Sequence, residues 1–305
     1  MPKVAEKYLV VIAGPTAVGK TALCINLAKQ LQTDIISADS RQFFKELAIG
    51  TAKPTLDELG QVRHHFIDSH SIQEEYSAGD FERDAVALLE ELYQKHDVVV
   101  MTGGSGLYIK AVCEGLDNLP QPLPGLRVRL TERLETEGLQ KLQEEIKGFD
   151  PEFFNSTEIN NPQRVVRALE VFYTTGTPIS SYQQKNVASR PFVPILISLN
   201  RDRTELYDRI NQRVDAMITD GLVEEAKSVM PFRDHHALKT VGYKEVYDYL
   251  GGNYDHAEMI RLIKQNTRRY AKRQMTWFRH QGAFQWFDAT DEEGILNYIR
   301  TKMAE

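Results

Sequence analysis

Gly14-Pro15-Thr16-Ala17-Val18-Gly19-Lys20-Thr21 stands between an apolar run, Tyr8 to Ala13, and a stretch in which Leu23, Leu27 and Leu31 recur every four residues with Ala28 beside them. A buried strand, a glycine-bounded turn and an amphipathic helix in that order form the opening unit of a parallel α/β sheet, which leaves few other architectures open to the chain. The glycines let the backbone curl so that successive N–H groups and the helix N-terminus face one point, an anion site. Lys20 brings a point charge to terminal phosphates, and the Thr21 hydroxyl is the candidate protein ligand for Mg²⁺. Gly14 to Thr21 are therefore candidate binders of a di- or triphosphate, ATP among them.

The same alternation continues. Asp34 to Ala38, His65 to Ser69 and Val98 to Thr102 read as strands, and Phe81, Ala85, Leu88 and Leu92 as the buried stripe of a helix between the last two. This predicts a doubly wound parallel sheet that binds ligands at the strand C-terminal ends. Near Leu116 the pattern changes: Leu119-Pro120-Gln121-Pro122-Leu123-Pro124-Gly125 is punctuated by proline, and the following 70 residues carry helical patterns without a strand. Strand character returns at Pro194 to Leu199, after Ser189-Arg190-Pro191. The organisation expected is a P-loop core over residues 1–117, a helical insertion over 118–193 and the rest of the core over 194–305. Gln285 to Asp288 is expected as a late edge strand.

A chain of 305 residues has room for an α/β core and a second lobe. Its 42% hydrophobic content, with no run near 18 apolar residues, predicts a soluble protein without a membrane span. Lys3 and Lys7 precede an apolar run that Gly14-Pro15 interrupts, so it reads as a first strand rather than a signal peptide. Cys24 and Cys113 are isolated, which excludes a disulfide framework and a cysteine zinc site and fits the cytoplasm. The formal charge is −6, yet Asp255 to Gly282 holds seven Lys/Arg against two acids. That segment is +5 and the remainder −11, a distribution that suits either a local polyanion-binding face or a solvated helix surface.

Several residues could carry chemistry. The strand Val98-Val99-Val100-Met101 ends in Thr102-Gly103-Gly104-Ser105-Gly106-Leu107-Tyr108 rather than in the acid usual for a P-loop hydrolase. Asp39 is the acid best placed near the phosphates, as a general base, an outer partner of the metal, or a helix N-cap. Asn161-Pro162 opens a helix that carries Arg164 and Arg167, either phosphate contacts or surface charges paired with Glu158 and Glu170. Arg209 and Arg213 recur at i and i+4 after the strand ending at Leu199, poised over the loop or facing solvent. Trp277 and Phe278 lie among Lys272, Arg273 and Arg279, a mixture that suits RNA with unstacked bases, although Trp277 is expected to be buried.

Taken in order and spacing, Gly14 to Thr21, Asp39-Ser40 with Gln42, Ile49 to Pro54, Tyr76 to Phe81, Gly103 to Tyr108, Asn161 to Val171, Val241-Gly242-Tyr243 and Lys272 to Arg279 resemble the bacterial-type tRNA dimethylallyltransferases over essentially the whole chain. Two positions depart from that pattern: Ser105 replaces the usual Thr and keeps its hydroxyl, and Arg41 with Phe43-Phe44 replaces a Met and a Val-Tyr pair. The resemblance implies transfer of a dimethylallyl group from dimethylallyl diphosphate to N6 of the adenosine 3′ to the anticodon. It makes the loop a site for the allylic diphosphate rather than ATP. It implies Asp39, Lys20, Thr21 and Arg213 as catalytic residues and Mg²⁺ on Thr21 as cofactor. It assigns contacts with the tRNA anticodon stem-loop to Asp39, Ser40, Arg41, Gln42, Thr102, Pro124, Gln163, Arg164, Val165, Val166, Arg167, Lys239, Gly242, Tyr243, Lys244, Lys272, Arg273 and Arg279, in a monomer. The rival enzymes are an adenylate isopentenyltransferase acting on free nucleotide, which needs no extended RNA surface, and a P-loop small-molecule kinase. A nucleotide-gated binding module would leave Asp39 without a role.

Overall fold

Tyr8–Ala13 (β1) is buried from end to end because it lies inside a sheet covered on both faces, and such strands are apolar on both sides rather than alternating. In the computed structural model, which describes residues 6–117, 119–183 and 188–305, β1 leads through the glycine loop into Lys20–Leu31 (α1). Ile35–Ser37 (β2), the single turn Leu56–Leu59 (α2), His64–His65 (β3), Ala78–Leu92 (α3), Val98–Gly103 (β4) and Gly106–Glu114 (α4) follow. Among the described residues, Leu126–Glu137 (α5), Leu139–Phe149 (α6), Pro151–Phe154 (α7) and Pro162–Thr175 (α8) bring no strand. Val193–Asn200 (β5), Arg203–Thr219 (α9), Leu222–Ser228 (α10), Tyr243–Leu250 (α11), His256–His280 (α12), Gln285–Asp288 (β6) and Glu292–Ala304 (α13) complete the chain.

The six strands are parallel in the order β3-β2-β4-β1-β5-β6, the doubly wound arrangement expected, with β6 at one edge. Alternate β1 side chains point into two different cores. Tyr8, Val10 and Ile12 pack with Leu27 of α1, Ile210 of α9 and Ile295 of α13. Leu9, Val11 and Ala13 meet Phe81 and Leu89 of α3, Ile109 of α4 and Phe278 of α12. A third core, around Tyr243, Leu222 and Met259, joins α10, α11 and the start of α12.

The chain divides into two compact units, residues 1–114 with 189–305, and Gly115–Ala188. The smaller unit has its own core of Leu130, Leu142, Phe153, Val166 and Leu169. Asn118, one expected end of the insertion, and Lys3 lie outside the described residues.

Three readings of the sequence are corrected. His65 to Ser69 is not a strand beyond His65. Phe66 and Asp68 take φ of 61° and 53°, which breaks the extended geometry, and the Phe66 ring turns edge-on to Phe81 at 5.0 Å. In α3, Leu89 rather than Leu88 lies fully in the core. Trp277 is only half-buried, whereas its neighbour Phe278 is 1% exposed.

Candidate active site

β1, β2, β4 and β5 all end on one edge of the sheet, so the loops that follow them surround a common space. After β1 the chain bends through Gly14 to Gly19. Gly19, the N-cap of α1, has φ 116°, a conformation that costs a side-chain-bearing residue strain. The Lys20 amine folds back onto the loop and donates to Gly14 O at 2.9 Å and Pro15 O at 2.8 Å. Burial pushes its pKa down to about 8, against the upward pull of the Asp39 charge. The Thr21 hydroxyl, at the first turn of α1, has no protein partner among the described residues.

Three guanidiniums from the β5 side hold consecutive residues of the loop. Arg201 Nε donates to Val18 O at 3.1 Å, Arg209 Nε to Ala17 O at 2.8 Å, and Arg213 Nη1 to Thr16 Oγ1 at 3.4 Å. Burial, and then the neighbouring Arg209 charge, press the Arg213 guanidinium below its ordinary pKa. Arg209 and Arg213 thus face the loop rather than solvent. Sequence reasoning missed Arg201, whose one signal was its place immediately after the strand end at Asn200.

From β2 comes Asp39. No helix follows it, so it is not a helix N-cap; its Oδ1 accepts from the Arg41 N–H at 2.9 Å and closes a turn. Its charge reaches both Lys20 and Arg213 and favours their protonated forms. The β4 turn supports this segment, because Ser40 N donates to Ser105 Oγ at 3.0 Å and Ser105 Oγ donates to Ser40 Oγ at 3.1 Å. The hydroxyl of Ser105 is what this support requires.

Other residues of the expected RNA surface prove to be occupied internally. Gln42 donates to Thr51 O and Ala52 O at 3.2 and 3.1 Å and accepts from Ser37 Oγ, tying the Ile49 to Pro54 segment to the end of β2. Thr102 Oγ1 donates to Ile12 O at 3.1 Å. Tyr243 is fully buried, with its hydroxyl on Glu225 Oε1 at 2.6 Å. The Glu225 carboxylate also accepts from the N–H groups of Ala48, Ile49 and Gly50. Gly242 is buried too, its N–H on Glu245 Oε2 at 2.8 Å, while Lys239 and Lys244 are exposed. Arg41 is half-buried, with Nη1 3.3 Å from Ser40 O.

In the smaller unit, Asn161 caps α8 by accepting from Gln163 N at 3.0 Å and Arg164 N at 3.4 Å, with Pro162 in the first turn as anticipated. Arg164 is ion-paired with Glu158, and Arg167 bonds Pro120 O at 3.0 Å and Glu170 at 3.3 Å. Glu170 is buried and is gripped by Arg127 Nε and Nη2 at 2.6 and 2.7 Å. Val165 and Val166 are core residues at 0% and 2% exposure, so their side chains do not form a surface. Pro124 and Gln163 are exposed.

The basic segment is not uniform either. Toward the start of α12, Arg261 pairs with Glu258 and Lys264 with Asp215. Toward its end, exposed Lys272, Arg273 and Arg279 have no carboxylate partner among the described residues; Arg273 lies over the Tyr270 ring and Arg279 over Trp286. A cationic face without counter-charges is what a polyanion would neutralise.

For Mg²⁺ the donor set fits in one respect. No cluster of three His, Cys, Asp or Glu able to hold a metal occurs among the described residues. A hard cation that takes one hydroxyl, substrate phosphate oxygens and water needs no such cluster, and the Thr21 hydroxyl, without a protein partner among the described residues, would supply the protein oxygen.

Comparison with known proteins bears on this geometry. The IPP transferase family model matches residues 42–281. The chain is 49% identical over 300 residues to the tRNA dimethylallyltransferase of Cytophaga hutchinsonii, covering 98% of this chain and 99% of that one. It is 50% identical over 299 residues to that of Christiangramia forsetii, again covering 98% and 99%. Among solved structures, the tRNA isopentenylpyrophosphate transferase of Bacillus halodurans matches with a TM-score of 0.73 and 39% identity, over 98% of this chain and 97% of that one.

Proposed function

The chain belongs to the IPP transferase family and is a transferase that dimethylallylates tRNA; from that premise we propose that its phosphate loop holds dimethylallyl diphosphate and that Asp39 serves the acceptor amine. The observation that carries the proposal is the convergence, at one edge of the sheet, of Lys20 and Arg213 with a carboxylate, Asp39, whose charge reaches both. A prenyl transfer needs a cationic end for the leaving group and an acceptor of a proton at the nucleophile.

The loop N–H groups, Lys20 and Arg213 bind the diphosphate and stabilise charge that grows on its ester oxygen as the C1–O bond breaks. Mg²⁺, when bound at Thr21, would neutralise part of that same charge. C1 bonds to N6 of the adenosine 3′ to the anticodon, and the N6 proton passes to Asp39 Oδ. The adenine amine is a weak nucleophile because its lone pair is delocalised into the ring, and a hydrogen bond to Asp39 counters that. The base leaves its stack to reach the site. Lys272, Arg273 and Arg279 bind the stem-loop backbone, and exposed Lys239 and Lys244 belong with them in this reading. No helix among the described residues is long and apolar enough to cross a membrane, and action as a monomer on cytoplasmic tRNA accompanies this reading.

The test is mass spectrometry of nuclease-digested tRNA after incubation with the protein and dimethylallyl diphosphate, with and without Mg²⁺. One added C5H8 mass on that adenosine, with release of diphosphate, is expected. Modification with ATP as sole cosubstrate, or of free adenylate in preference to tRNA, would overturn the reading.

A further inference from the structure

Gln274 is a buried polar side chain that α12 sends toward the phosphate loop. It is 7% exposed and lies on the same helix as the cations Lys272, Arg273 and Arg279. Its Oε1 accepts from the Thr16 N–H at 2.9 Å, and its Nε2 donates to Gly104 O at 3.0 Å. One amide therefore joins the loop after β1 to the turn after β4 and satisfies a backbone group on each. The space is built for this side chain: a Cβ at Gly104 would come within 2.2 Å of Gln274 Nε2. Thr16 is held twice, because Arg213 donates to its hydroxyl.

We propose that Gln274 is a positioning residue for the diphosphate, which sets the orientation of the Thr16 peptide and so the shape in which the loop presents its N–H groups to the anion. The proposal rests on the assignment of diphosphate to this loop. The neutral amide does both jobs, accepting from an N–H on one side and donating to a carbonyl on the other. Glutamate would still accept from Thr16 but would set its second oxygen against Gly104 O and add negative charge beside an anion site. Methionine would keep the volume and leave both backbone groups without a partner in a buried setting. A loop whose Thr16 peptide is free to rotate must be ordered by the ligand itself, and that ordering is subtracted from affinity.

The test is calorimetric titration of the full-length chain with inorganic diphosphate, alongside fluorescence titration with an anticodon stem-loop and circular dichroism to confirm folding. For Gln274→Met an increase of about ten-fold in the diphosphate Kd is expected, with stem-loop affinity within two-fold of wild type, and Gln274→Glu should be weaker still. Gly104→Ala displaces the same amide from the other side, so it should reproduce the diphosphate defect. The double variant Gly104→Ala/Gln274→Met should lose no more than the worse single variant. Wild-type diphosphate affinity in folded Gln274→Met overturns the proposal, as do equal losses toward diphosphate and RNA, or additive losses in the double variant. If wild type itself fails to bind diphosphate, the donor assignment falls, and this inference with it.

Discussion

Asp39 and Lys20 act on the same space with opposite charge, so their loss should appear in different measurements. Removing a base that takes a proton only in the transition state slows chemistry and leaves binding alone. Asp39→Ala should cut single-turnover transfer by at least about 100-fold, with stem-loop affinity unchanged within a few-fold; chemistry near wild type would remove Asp39 from the mechanism. In the proposed reading Lys20 is instead a binding group with a titration of its own. Its pKa lies near 8, below the ordinary lysine value, because burial disfavours the charged form. The free amine is charged below that pH and neutral above it, and an anion binds the charged form. Affinity for dimethylallyl diphosphate should therefore be full below pH 8 and decline as pH rises through it. Titrations of wild type and Lys20→Ala at matched pH isolate this decline from ionisation of the ligand, and parallel profiles would contradict it.

At the scale of elements, the basic helix separates into two parts that charge counting merged. Arg261 and Lys264, early in α12, already have acidic partners, whereas among the described residues Lys272, Arg273 and Arg279 do not. Lys272→Ala should weaken stem-loop binding similarly for stem-loops with and without the target adenosine, and should make the slope of log affinity against log salt shallower by about 0.9 or less. Arg261→Ala should leave both quantities within error, since its charge is offset by Glu258. Equal effects from the two variants in salt-dependent fluorescence titration would show that local pairing does not decide which cations meet RNA. The same accounting applies to α8: its capping by Asn161 and Pro162 was readable from the sequence, and Glu158 and Glu170 could be named as alternative partners of Arg164 and Arg167, but the choice between those partners and phosphates could not be made there. The fold provides Glu158 to the first, and Glu170 with Pro120 O to the second.

For the whole molecule, the phosphate loop belongs to a unit assembled from residues 1–114 and 189–305, so ligand binding there is linked to the stability of chain segments far apart in sequence. Saturating dimethylallyl diphosphate at about 100 times its Kd should stabilise that unit by about 2.7 kcal/mol. Hydrogen exchange should show the added protection in β1, α1 and β5, and it should disappear in Lys20→Ala. Protection confined to Gly115–Ala188 would place the ligand elsewhere.

What could be read from the chain itself was local in origin. The strand, loop and helix around Gly14 to Thr21 follow from backbone freedom at glycine and from a fourfold apolar repeat, and parallel order follows from strands alternating with helices. The limits of local reading are equally physical. His65 to Ser69 has strand-like composition, yet packing of the Phe66 ring against Phe81 prevails over extended backbone. Tyr243, Val165 and Val166 belong to motifs that suggested a surface, and burial is decided by neighbours remote in sequence. Arg201 and Gln274 lie 187 and 260 residues beyond Gly14. Only the closing of the parallel sheet, with α9 and α12 packed along it, brings their side chains to the loop, because hydrogen bonds such as these depend on distances that no spacing within one element encodes.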